Sequence, residues 1–175
     1  MGWGKWIPDK KHLIPNAVTM TNLALGFFSL VLTMHNFYHE AAYAVFGAAL
    51  MDSLDGRLAR RLQVVSDFGR ELDSLSDLVS FGVSPALLVY SAEMYRWNYW
   101  GLLFSALFAL CGAFRLARFN VAQPEAYFVG VPITFCGPAL TLAVLLSGWL
   151  DVRVYPVLTL FLGYLMVCGL KVPKL

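Results

Sequence analysis

Hydrophobic positions in this chain gather into six long runs, 17–34, 41–62, 67–90, 99–118, 131–150 and 155–170, separated by short polar or aromatic turns. A helix that crosses a bilayer needs about 20 predominantly apolar residues, so the pattern predicts six spanning helices. The second and third runs are apolar over only part of their length, because acidic residues crowd the end of one and the start of the next. Gly130 and Pro132 mark the entry to the fifth helix, and the longest stretch without helical character is expected at 120–130.

Composition moves this picture out of water. A hydrophobic share of 59% over 175 residues, with a mean hydropathy of +0.65, exceeds that of a soluble globule. The expected class is an all-α integral membrane protein: a six-transmembrane-helix bundle at 15–175 behind a short interfacial segment at 1–14. In that segment Trp3, Trp6 and Ile7 alternate with Lys5, Lys10 and Lys11, which suits a stretch lying on anionic lipid or a simple topology anchor. The first run is too long for the core of a signal peptide and lacks a small-residue cleavage site, so it is expected in the mature chain.

Charge orients the bundle. With the N-terminus cytoplasmic, 11 of the 13 basic residues fall at cytoplasmic helix ends, and only Arg96 and Arg153 lie outside. The outer turns carry Phe37, Tyr38, Tyr95, Trp97, Tyr99, Trp100, Trp149 and Tyr155, aromatics suited to a lipid–water boundary. Both termini are therefore expected in the cytoplasm, beneath a cytoplasmic membrane. The net charge of +2 forms no basic strip with stacking aromatics, so no nucleic-acid partner is expected. Cys111, Cys136 and Cys168 lie far apart in apolar runs, without zinc spacing, and read as reduced, buried thiols.

The acidic residues carry the chemistry. Six of the 11 lie between Asp52 and Asp77. Residues three or four apart share a helix face, so Asp52 and Asp55 point one way from the second helix, and Asp73 and Asp77 one way from the third. An ionised Asp at the centre of a spanning helix costs about 2.5–3.5 kcal/mol, so four unpaired ones would cost on the order of 10 kcal/mol at that depth. Arg60 cannot neutralise four acids, whereas two divalent cations can. Oxygen-only ligands suit magnesium, manganese or calcium and disfavour zinc and copper. Two such ions about 4 Å apart clamp the attacking and leaving oxygens in phosphoryl transfer. Gly56, Ala59 and Gly69 either clear room for a flat group beside the ions or allow close helix packing.

Asp52, Asp55-Gly56, Ala59-Arg60, Gly69, Asp73 and Asp77, at their present spacing, match the signature of the CDP-alcohol phosphotransferases at all eight positions, and the chain resembles that family. It is further similar to the family's phosphatidylserine synthase branch through Pro15-Asn16, Thr19, Asn22, Gly26-Phe27, Glu71-Leu72-Asp73-Ser74-Leu75, Ser80-Phe81-Gly82-Val83, Arg115-Leu116-Ala117-Arg118-Phe119-Asn120 and Gly130-Val131-Pro132. The resemblance runs from about Pro15 to the end of the sixth helix, with a short stretch after Asn120.

This resemblance implies a membrane enzyme, usually dimeric, that passes the phosphatidyl group of CDP-diacylglycerol to L-serine. Asp52, Asp55 and Asp73 would hold one metal, and Asp52, Asp73 and Asp77 the other. The metals would be magnesium or manganese, with calcium as substitute or inhibitor. Asp77 would double as general base. Gly56, Ala59 and Gly69 would accommodate cytidine, with Arg60 near the phosphates. Asn16, Thr19 and Asn22 either line the nucleotide pocket or form a polar packing stripe. Arg115 and Arg118, with Asn120, either take serine's carboxylate or the diphosphate, or snorkel to head groups as anchors.

Three rivals remain open on sequence. An acceptor such as glycerol 3-phosphate or an inositol compound would call for extra cationic or polar groups near the cavity. An intramembrane prenyltransferase would need aspartate motifs on two separated helix pairs, and this chain has one cluster. A cation-transport or structural metal site would need acids along a path, and the outer side offers only Glu40, Glu93 and Asp151, all in turns.

Overall fold

The structure is a computed structural model that describes residues 13–62, 66–121, 127–169 and 171–173. Most of the interfacial segment expected at 1–14 lies outside the described residues. Helix α1 (Leu13–Met34) and helix α2 (Tyr38–Leu62) pack along each other as a hairpin. Asn36 ends α1 in the left-handed conformation at φ 63, while its N–H donates to Thr33 O and that of Phe37 to Leu32 O. This pair of bonds satisfies carbonyls that a helix end otherwise leaves bare. On α2 the buried side chains are small, Ala41, Ala42, Val45 and Ala48, which lets the α1 backbone come close.

Helix α3 (Asp67–Asp77) begins at Ser66, whose Oγ accepts from Gly69 N–H at 3.0 Å. The rod then widens into a π-helical turn over Leu78–Val83, returns to α geometry in α4 (Ser84–Val89), and widens again over Tyr90–Met94. Pro85 accounts for the first widening. In an α-helix its ring would crowd the Phe81 carbonyl, and it has no N–H to offer that oxygen. A single 3₁₀ turn at Tyr95–Trp97 and Asn98, at φ 51, reverse the chain into α5 (Asn98–Val121).

Strand β1 (Tyr127–Val129) pairs antiparallel with β2 (Lys171–Pro173), Phe128 opposite Val172. The hydrophobic pattern did not predict this ribbon. Between the strands lie α6 (Ile133–Leu145) and α7 (Val154–Val167). Both are shorter than the expected runs 131–150 and 155–170. The helical stretches Pro15–Met34 and Asp67–Val121 are long and apolar enough to cross a bilayer. The core joins Phe81, Leu88, Phe108, Ile133, Leu140, Tyr155 and Met166. Phe27, Phe28, Leu50, Leu110, Phe114 and Phe161 instead face outward, an exterior suited to lipid.

Candidate active site

The site is assembled by α1, α2 and α3. The sequence spacing places Asp52 and Asp55 one turn apart on α2, and Asp73 and Asp77 one turn apart on α3. Packing brings oxygens of Asp52, Asp73 and Asp77 within 4.8 Å of one another. Asp77 and Asp55 are each only 7% exposed, while Asp52 and Asp73 are half-buried. The α1 hydroxyl of Thr19 lies within bonding distance of Asp55 Oδ2 and of Pro15 O at 3.1 Å, its one proton shared between the two oxygens. Asn22 Nδ2 donates to Asp77 Oδ1 at 3.3 Å.

Thr19 and Asn22 are thus in contact with the carboxylates, at 3% and 0% exposure. Their backbone carbonyls are also used: Ser76 Oγ donates to Thr19 O and Ser80 Oγ to Asn22 O, both at 3.0 Å. The two serines are four residues apart and so share one face. Sequence reasoning did not single out Ser76, and its one signal was that spacing. Gly26 lies one turn beyond Asn22, and a Cβ there would overlap Ser80 Oγ.

The small residues divide. At Gly56 a Cβ would meet nothing within 4 Å, so space opens beside it. A Cβ at Gly69 would sit 3.1 Å from Ser66 Oγ and 3.4 Å from Asn16 Oδ1, which places Asn16 at the start of α3. Ala59 and Arg60 lie in the last turns of α2, and their side chains lie outside the described residues.

The C-terminal end of α5 also divides. Arg115 is buried on α5, with Nε unpartnered. Such a side chain does not snorkel to the surface. Arg118 Nη1 donates to Val167 O on α7 at 3.4 Å. Asn120 is clasped from α3, accepting from Ser74 Oγ at 3.2 Å and donating to Glu71 Oε2 at 3.1 Å. That clasp, with Glu71 and Ser74 as partners, went unread in the sequence.

The cluster fits divalent cations. Like charges about 5 Å apart repel by roughly 3 kcal/mol at an effective dielectric of about 20, and the partners Thr19 and Asn22 are uncharged. The donors are oxygens throughout, which suits magnesium or manganese. At the far end of the rod, burial raises the Glu93 carboxyl above its ordinary range, against a bond with Ser147 and the nearby Arg96 charge.

The sequence pattern of the CDP-alcohol phosphatidyltransferase family matches residues 12–170. A CDP-diacylglycerol–serine O-phosphatidyltransferase of Bacillus subtilis (strain 168) is 38% identical over 163 residues, 93% of this chain and 90% of its own length. A Methanocaldococcus jannaschii protein of the same description is 38% identical over 92% of this chain and 74% of itself. An archaetidylserine synthase of Methanothermobacter thermautotrophicus is 33% identical, covering 92% and 70%.

Proposed function

Since this chain belongs to the CDP-alcohol phosphatidyltransferase family, we propose that it transfers the phosphatidyl group of CDP-diacylglycerol to the hydroxyl of L-serine, giving phosphatidylserine and CMP. The observation that carries the reading is the convergence of Asp52, Asp73 and Asp77 from two helices. The serine-linked descriptions of the relatives supply the acceptor.

Asp52, Asp55 and Asp73 would hold one divalent ion, and Asp52, Asp73 and Asp77 a second. When bound, such ions neutralise the diphosphate and the departing CMP oxygen. Asn22 fixes Asp77 Oδ1, leaving the other oxygen to take the proton of serine's hydroxyl. That hydroxyl oxygen forms the new bond to the phosphorus bearing diacylglycerol, and the bond from that phosphorus to the CMP oxygen breaks. Gly56 leaves open space for the cytidine, next to Ala59 and Gly69, and Arg60 meets the phosphates.

Six spans, an interfacial segment at 1–14, cytoplasmic termini and a homodimer complete the reading. The exposed aromatics Trp100 and Trp149 support lipid boundaries at the turns. The deciding experiment supplies purified protein with CDP-diacylglycerol and competing serine, glycerol 3-phosphate and inositol phosphate. Phosphatidylserine and CMP in equal amounts are expected; a different lipid product overturns the acceptor, and no metal-dependent CMP release overturns the enzyme reading.

A further inference from the structure

Two buried polar atoms of opposite kind, one beside Asp77 and one on the helix clasped to α3, lack partners of their own. Asn22 is wholly buried, and because its Nδ2 faces a carboxylate, the amide orientation is fixed and Oδ1 is the atom left over. Arg115, at 9% exposure on α5, leaves Nε unpartnered. An unmet acceptor and an unmet charged donor are costly inside a protein unless a ligand completes them. Among the described residues the other unpartnered groups, Ser29, Ser84 and Ser105, are helix hydroxyls, which can rotate onto a carbonyl of their own helix. Asn22 and Arg115 have no such local remedy.

We infer that Asn22 and Arg115 form the two ends of a receptor for an α-amino acid zwitterion, Arg115 taking the carboxylate and Asn22 Oδ1 the ammonium, with Asp77 at the hydroxyl. The inference rests on the serine reading and deepens it. In serine the three groups radiate from adjacent carbons, so their receptors must also be neighbours. Asn22 touches Asp77, and because the Ser74–Asn120 bond sets antiparallel α5 against α3, Arg115, just over one turn back from Asn120, comes level with Asp77, about one turn on from Ser74. Guanidinium is suited to a planar carboxylate, and an amide oxygen to an ammonium. The structure also separates two arginines that the sequence left equivalent: Arg118 is engaged with the end of α7, so the carboxylate falls to Arg115.

The test compares serine with ethanolamine, which lacks the carboxylate, and 3-hydroxypropionate, which lacks the amine. In wild-type protein each analogue should have a kcat/KM at least roughly tenfold below that of serine, the loss expected when a charged hydrogen bond is left unmade. An analogue as good as serine overturns the inference without any mutation. Arg115→Gln should lower the preference for serine over ethanolamine by roughly tenfold, and Asn22→Leu the preference for serine over 3-hydroxypropionate. Unchanged preferences in both variants overturn it. Wild-type protein that ignores serine but uses another alcohol defeats the serine reading itself, whereas serine turnover with unaltered selectivity in the variants defeats only the receptor.

Discussion

Thr19 and Asn22 each hold an aspartate by one oxygen, and this division of labour is open to measurement. Thr19→Val removes the bond to Asp55 while keeping the shape of the side chain. Loss of a partner behind a metal ligand typically weakens metal affinity by about 10- to 100-fold, so the variant should need that much more magnesium or manganese for half-maximal activity. A titration of activity against metal checks this. Asp77→Asn keeps the size of the side chain but removes the proposed proton acceptor. Turnover should fall by roughly a hundredfold or more, while CDP-diacylglycerol still binds in a direct binding assay. The convergence of Asp52, Asp73 and Asp77 was legible because helical spacing survives any packing, whereas Asp55 lies outside that trio and meets Thr19. The partners were not legible, because a polar stripe such as Asn16, Thr19 and Asn22 looks the same whether it meets a ligand, a metal ligand or another helix.

Among the elements, the turn at Leu78–Val83 links the aspartate-bearing end of α3 to the core, and two helices grip it by the absence of a side chain. A Cβ at Gly26 of α1 would overlap Ser80 Oγ, and one at Gly137 of α6 would overlap the Phe81 carbonyl. Because backbone cannot swing aside as a side-chain tip can, Gly137→Ala should displace the turn that follows Asp77. Overpacking of this kind costs about 1–3 kcal/mol, which should appear as a lower melting temperature in detergent together with reduced turnover. Gly47→Ala is the contrast: its Cβ would lie 3.5 Å from Leu25 Cδ1, an ordinary contact, so its melting temperature should hold or rise. Hydrophobic runs announced the helices but not this register change, whose one sequence signal is Pro85. Apolar runs also overstated α6 and α7, since residues such as Leu146, Trp149 and Leu150 are as apolar in a turn beside lipid as in a helix.

Across the whole molecule, ties between distant segments supplement the apolar packing. Asn120 joins α5 to α3, Arg118 joins α5 to α7, and β1 pairs with β2. These ties link residues far apart in sequence, and no local pattern announces them. Within the site, α1 bonds to Asp55 on α2 and to Ser76 and Asp77 on α3, which holds Asp52, Asp73 and Asp77 together although they repel one another, so the fold itself should respond to cations. A ligand that binds only the folded state stabilises it by about 2.7 kcal/mol at a hundred times its dissociation constant. Magnesium or manganese should therefore raise the melting temperature of chelator-treated wild-type protein, and should raise that of Asp73→Asn far less. Asp73→Asn should itself melt higher than wild type in chelator, because it removes one member of the repelling trio. A metal-insensitive melt in wild type would leave the carboxylate cluster without the charge compensation on which the phosphotransfer reading depends, whatever product the activity assay records.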